Sequence, residues 1–353
     1  MAFEPSFFNG IIQAGFDPVV TALETTFNGE KQAPNYLFRQ YLTREYSVDG
    51  TFQSVTEDLG FIMADLIALD SPLPEKTRPA IEKFGGSLPK IGQELSMNET
   101  DLRQARLMLS AGSNLSAVQA KVFRNTARVY GGVLEKLEYT FLKGLSAGVV
   151  VADQNTNVGT AVRVNYQYQN NYNASVVWGQ AGATPFADLM GMIEDASNIT
   201  ELLMDRQALN HLLNDEDAQN FVASHQRALN QGQATSLSAL NDALETNYGF
   251  TVRVITRKVT YEINGVKTTV NAWEAGQVIG LTSDKAGKLV YSEVEEKFAP
   301  VGGKNYSEAE GFILLGMYRT IRPSLKEWTD AQAVALPVID RANVYKLDTT
   351  ATA

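Results

Sequence analysis

The chain has no cysteine among its 353 residues. Disulfides, thiolate metal sites and cysteine nucleophiles are therefore excluded. Histidine is nearly absent too. His211 and His225 stand alone in a polar, helix-like region. They form no HExxH or comparable metal-binding pair and read as solvated surface residues. No apolar run approaches the roughly 18 residues of a membrane span. The N-terminal stretch from Met1 to Phe8 lacks a basic n-region and a long apolar core, so no secretory signal is read and no membrane partner is expected. Basic residues are in the minority, 30 Lys and Arg against 40 Asp and Glu, for a net charge of -10. That balance argues against a sequence reader of nucleic acid, which needs clustered cations. It leaves room for non-specific contact with DNA on one local face.

Catalytic signatures are missing as well. There is no G-x-S-x-G elbow and no phosphate-binding P-loop. Gly302-Gly303-Lys304 lacks the upstream glycine and the following Ser or Thr, and reads as a surface turn. The run from Asp153 to Gly159 resembles a calcium loop. Its glycine falls one place late, however, and Val164 stands where a carboxylate is needed. Glu293, Glu295 and Glu296 read as a solvated acidic face. Trp178, Trp273 and Trp328 read as packing anchors. No catalytic, cofactor-binding or metal-binding residue is expected, no cofactor, and no enzyme activity.

What is present is 44% hydrophobic residues, enough for a sizeable core split into two or three sub-domains. Residues 9 to 27 have helix-like apolar spacing, with an interruption expected at Asp17-Pro18. Residues 46 to 97 contain prolines at 72, 74, 79 and 89 and the pair Gly85-Gly86, and should be extended. Asn98 caps a helix. Asn114 caps a second one, read as continuous to Ser146 with apolar residues at Val129, Val133, Leu137, Phe141 and Leu145. Such a helix would be about 50 Å long and serve as a spine. Gly131-Gly132 in its middle is a candidate bend, with close packing against a neighbouring strand the equal alternative.

Strands are expected at 148–152, 161–168 and 174–178, then a helix opened by Thr184-Pro185. Short helices follow at 205–213, 215–224 and 236–246. Asn264-Gly265 marks a hairpin between Val259–Ile263 and Val266–Ala272. Strands at Gln277–Leu281, Lys288–Tyr291 and Asn343–Asp348 complete the pattern. Helices and strands are segregated, so the class is α+β.

The segment Ala68-Leu69-Asp70-Ser71-Pro72-Leu73-Pro74, with Arg78-Pro79, Gly85-Gly86 and Pro89-Lys90-Ile91-Gly92, resembles the extended loop of tailed-phage major capsid proteins of the lambda capsid protein E type. The order of elements after it is similar to the Hong Kong 97-type capsid fold. Tyr261, Asn264-Gly265, Gly276-Gln277-Val278, Gly287 and Tyr291 resemble that family's late β-region. The resemblance spans about residues 17 to 348. It implies an N-terminal arm (1–45), an extended loop (46–97), a peripheral domain with the spine helix (98–183), an axial domain (184–340) and a C-terminal strand and tail (341–353).

It also implies self-assembly as hexamers and pentamers into an icosahedral virion shell around double-stranded DNA, assembled in a host cytoplasm. A portal and, in some cases, a decoration protein would be partners. Only about 45 residues precede the loop, too few for a scaffold extension of the kind some members carry, so a separate scaffolding protein, or scaffold-free assembly, is expected. Glu75, Lys76, Arg78, Glu82 and Lys83 in the loop would contact neighbouring subunits, and Gly131 and Gly132 would bend the spine as the shell matures. One member of the family cross-links lysine to asparagine between subunits. Lys83 and Lys90 lie in the corresponding loop, but neither the partner asparagine nor an assisting acid is identified, and the cross-link is not carried over. The alternatives are an encapsulin-like cargo shell or another phage structural protein.

Overall fold

Local capping chemistry sets where several helices begin, and the computed structural model shows it directly. It describes residues 4–6, 8–28, 35–57, 81–111, 115–152, 162–196, 198–228, 235–263, 265–321 and 324–352. Helix α1 (Asn9–Asn28) runs unbroken through Pro18. It buries Ile12, Phe16 and Val20, one face of an i, i+4 pattern. Phe16 stacks on Phe123 with ring centroids 6.0 Å apart. Helix α1, within the stretch read as an arm over 1–45, is thus not free, because its apolar stripe is covered by its own subunit's core.

The short α2 (Phe38–Tyr41) leads into β1 (Leu42–Tyr46). Strands β2 (Thr51–Glu57) and β3 (Ile81–Ser87) pair, among the described residues, only with each other, as an antiparallel ribbon. Strand β4 (Lys90–Met97) does not belong to that projection. It pairs along its whole length with a central strand described below, and Met97 is buried. The extended loop read as 46–97 therefore ends before Lys90.

Helix α3 (Glu99–Ser110) is capped by Asn98, whose side chain accepts from the Asp101 N–H at 2.9 Å. The expected continuous spine is two helices, α4 (Leu115–Val122) and α5 (Arg124–Ala147). The break falls at Phe123, which leaves helical geometry where its ring is held against α1. At 24 residues α5 is about 36 Å long. Gly148, at φ +74°, ends it in the left-handed conformation that glycine adopts freely.

Next come β5 (Val149–Ala152), β6 (Val162–Asn165) and β7 (Asn170–Ala174). The strand expected at 174–178 lies earlier, because the chain turns after Ala174 to bury Trp178. Helix α6 (Pro185–Asp195), strand β8 (Glu201–Met204) and helices α7 (Arg206–Asn214), α8 (Glu216–Ala228) and α9 (Leu237–Tyr248) follow. Asp205 and Ser236 cap α7 and α9. The later strands are β9 (Thr251–Val254), β10 (Lys258–Ile263), β11 (Val266–Asn271), β12 (Gln277–Leu281) and β13 (Gly287–Ser292). Gly265 turns the β10–β11 hairpin at φ +80°. Helix α10 (Glu295–Phe298), β14 (Asn305–Ala309), β15 (Ile313–Thr320), β16 (Lys326–Ile339) and β17 (Val344–Thr352) complete the chain.

Two sheets organise the molecule. One has the order β1-β13-β16-β15-β14, with β4 also on β16. The other has the order β7-β17-β12-β8-β9. The first core joins α1, α5 and the six-stranded sheet, drawing residues from Phe8 to Val344. The second gathers α6 to α9 on the five-stranded sheet, mostly residues 174 to 252 with Val278 and Leu347 added. The stretch read as one axial segment, 184–340, is thus divided. Strands β13 to β16 return to the sheet beside α5, because β13 and β15 pair with β16 and β14 pairs with β15. Strand β17 goes to the second sheet.

Candidate assembly surfaces and the interlocks behind them

The base of the β2–β3 ribbon is packed into the first core. Phe52 is buried and its ring lies over Gly86, its cross-strand partner, where any Cβ would press on it at 3.2 Å. Leu88 is buried beside it, and its N–H bonds the Gly50 carbonyl at 2.8 Å. Glu82 and Lys83 lie on β3, paired in register with Thr56 and Val55. Glu75, Lys76 and Arg78 lie outside the described residues, as does the resemblance to a calcium loop at 153–159.

The glycine pair lies inside the unbroken α5. Gly132 has a packing reason. The Gln93 amide from β4 occupies the space a Cβ would take and donates to the carbonyls of Arg128 (2.9 Å) and Val129 (3.2 Å). Gly131 faces the Phe27 ring, which a Cβ would meet at an ordinary 3.5 Å.

Charged groups hold the elements of the first core in place. Glu310, its side chain 2% exposed, accepts from Arg39, Arg44 and the Tyr130 hydroxyl. Its own N–H donates to the Glu24 carboxylate. Three separate segments, α1, the α2–β1 stretch and α5, meet on that one residue. Glu138 of α5 is fully buried and accepts from the N–H groups of Leu37 and Phe38, both at 3.0 Å. Burial raises its pKa above the ordinary value, against the lowering effect of those two bonds. Between the two cores, the Tyr41 hydroxyl donates to Glu201 and accepts from Arg253 at 3.0 Å. The Glu274 N–H donates to Ser146 Oγ at 2.9 Å.

Three surface readings are corrected. Lys304 is not a surface turn residue. Its side chain is 5% exposed and its ammonium sits between Glu296 and Asp330. Glu296 is accordingly paired rather than merely solvated. His225 is also largely covered, with Nε2 3.1 Å from Asp242. In each case the partner is supplied by another element, which spacing along one segment does not show. Trp178 and Trp273 are anchors, buried with their indole N–H groups donating to Asp188 and the Gln277 carbonyl, whereas Trp328 is half-buried and stacks on Tyr318.

Among the described residues no group of three or more His, Asp or Glu could hold a metal ion. No described helix is long and apolar enough to cross a membrane. A groove beside Gly148, Asn165 and Tyr168 has a volume of about 190 Å³ and is wide open, below the usual size of a ligand pocket.

No protein-family model and no curated protein matches the chain. Solved structures do. A candidate capsid protein of a prophage in E. coli CFT073 superimposes with a TM-score of 0.55 at 10% identity, over 99% of each chain. A phage-related protein from Bordetella bronchiseptica RB50 gives 0.47 at 12% identity, over 94% of this chain and 96% of that one. The capsid asymmetric unit of cyanophage A-1(L) gives 0.47 at 12% identity, over 92% and 97%. The chain thus has, end to end, the α+β fold of the prophage capsid-type subunit.

Proposed function

We propose that this protein is the major capsid protein of a tailed phage, a structural subunit that assembles as hexamers and pentamers into an icosahedral shell around packaged double-stranded DNA. The observation that carries the reading is the end-to-end likeness to the prophage capsid-type protein, 99% of both chains. The β2–β3 ribbon supports it, being fixed at its base and paired with nothing else among the described residues. In this reading the core around α5 is the peripheral domain and the core around α6 to α9 the axial domain. The charged loop residues Glu75, Lys76, Arg78, Glu82 and Lys83 strap neighbouring subunits. A portal, a separate scaffolding protein and a decoration protein are the expected partners, contact with DNA is non-specific, and assembly takes place in the host cytoplasm.

The structure allows a clean test of the strap. Gln53 and Gly85 are cross-strand partners, so residues 54–84 can be replaced by an Asn-Gly turn without moving the base. Electron microscopy of the purified full-length chain, with scaffold supplied where needed, should show closed shells. The shortened chain should remain a folded monomer and form none. Closed shells from the shortened chain would remove the strap. A full-length chain that stays monomeric under every assembly condition would remove the capsid reading itself.

A further inference from the structure

Four strands place one row of residues side by side on the six-stranded sheet. Glu94 of β4 faces Asp330 of β16, Asp330 faces Gly316 of β15, and Gly316 faces Tyr306 of β14. Lys304 enters this row just before β14, after Gly303 turns at φ +85°. Gly316 leaves the floor open. A Cβ there would collide with the lysine's Cε and with Asp330 Oδ1. The ammonium Nζ lies 2.8 Å from Asp330 Oδ2 and 2.6 Å from Glu296 Oε1. The rings of Tyr306 and Tyr318 flank it at 5.2 and 5.4 Å.

Gln332 Nε2 donates to Asp330 Oδ2 at 2.7 Å and to Glu296 Oε2 at 2.6 Å. The Tyr306 hydroxyl donates to Glu296 Oε1 at 2.8 Å. The other aspartate oxygen, Oδ1, is buried and has no hydrogen-bond partner. A carboxylate settled into a simple ion pair would have both oxygens satisfied. This one is held by a single oxygen, with an amine against it and a second carboxylate in reach of the same amine.

We propose that Lys304 and Asp330 condense into an isopeptide bond within the chain, with Glu296 as the proton carrier. Glu296 takes a proton from the ammonium, freeing the nitrogen lone pair to attack Asp330 Cγ. Gln332 stabilises the oxygen that carries the developing charge. The Nζ–Cγ bond forms and one Cγ–O bond breaks. Of the three ammonium protons one stays on the amide nitrogen. The other two leave with the oxygen as water, one of them delivered by Glu296, which ends unchanged. No oxidant or co-reactant is required.

Glu296 stands ionised against the ammonium, 2.6 Å away, in position to accept its proton. Burial pushes its pKa up, but the bonds from Lys304, Gln332 and Tyr306 outweigh that and hold it below the usual range. The lysine and aspartate side chains are only 5% and 9% exposed, so the water released goes to bulk and the site does not readily rehydrate. The bond would tie the turn before β14 to the central strand β16. It differs from a lysine–asparagine link between subunits, since both residues belong to one chain and the acid is an aspartate. It stands independently of the capsid reading.

Intact-mass spectrometry of the denatured full-length protein tests this directly. The chain should weigh one water less than its sequence. A tryptic digest should join the peptide containing Lys304 to the one containing Asp330. K304R and E296Q should restore the full sequence mass, and D330N should lose one ammonia in place of the water. Full sequence mass in both unassembled and assembled wild-type protein overturns the proposal and leaves a buried ion pair. So does a one-water deficit that persists in K304R, which would place the lost water elsewhere. The wild-type mass decides the matter even where a variant fails to fold.

Discussion

Helices α6 to α9 meet the second core with Leu189, Met192, Leu209, Leu212, Val222 and Leu240, and the one buried polar side chain on them is Gln226. In the first core, α5 and β16 carry Glu138, Glu327 and Asp330 inside. The difference follows from connectivity. The helices of the second core are close in sequence, so short connections bring them together and non-directional apolar burial suffices to hold them. The first core is assembled from segments between Phe8 and Val344, and apolar contact alone does not say which distant segments should meet. A hydrogen-bonded charge does, because a wrong partner leaves it buried and unpaired.

Two substitutions of comparable size should separate these designs. Glu310→Gln removes the charge on which Arg39 depends, while the amide oxygen still accepts one bond. We expect a loss of about 3 kcal/mol, the low end for breaking a buried ion pair. Amide hydrogen exchange should accelerate together in α1, β1 and the β14–β15 turn. Leu240→Ala opens a cavity in the second core, and a loss of about 2–4 kcal/mol is expected from denaturant unfolding. Its exchange effect should stay within α7 to α9. If both variants loosen both cores equally, the contrast between them is wrong.

The glycine pair offers a smaller and sharper comparison. Gly132→Ala must expel the Gln93 side chain and its two bonds to the helix carbonyls, at an expected cost of about 1–2 kcal/mol. Gly131→Ala meets only an ordinary contact with Phe27 and should stabilise α5 by up to about 1 kcal/mol. Thermal unfolding of the two variants decides it. If both impair shell expansion while leaving subunit stability equal, bending outweighs packing at this pair.

Legibility in the sequence followed the same divide. Asn98, Ser236, Asp205 and Gly265 act within a few residues of themselves, so the helix starts and the hairpin could be read from spacing. Strands β14 to β16 had no counterpart in the sequence reading. In β16 the alternation is hidden because both faces are covered, and Ala331, Ala333 and Ala335 carry no strand signature. Lys304 looked like a turn residue because its partners arrive from α10 and β16. The break at Phe123, whose ring stacks on Phe16 of α1, had no signal in the local spacing. The family resemblance supplied the order of segments, yet it placed α1 outside the core that covers it.

The smallest expected effect is a difference in how stability responds to acid. Glu138 in the first core and Asp348 in the second sheet should pull in opposite directions. Burial raises the Glu138 pKa above the ordinary 4.5, so the fold favours its protonated form. Its contribution is full below the unfolded value and is lost as pH rises through the folded one. Burial also pushes the Asp348 pKa up, but bonds from the Thr350 hydroxyl and N–H, from Gln277, and the charge of Lys346 outweigh it and leave it below the ordinary 3.8. Its contribution is full above that value and is lost as pH falls through the folded one. Unfolding free energies of wild type, E138Q and D348N between pH 3 and 7 give two difference curves. Wild type minus E138Q should decline as pH rises above about 4.5, and wild type minus D348N should decline as pH falls below about 4. Curves of the same slope would mean that the bonds from Leu37 and Phe38 outweigh burial at Glu138. The buried charges of the first core would then be as well accommodated as those at the second sheet's margin, and the contrast between the cores would rest on connectivity alone.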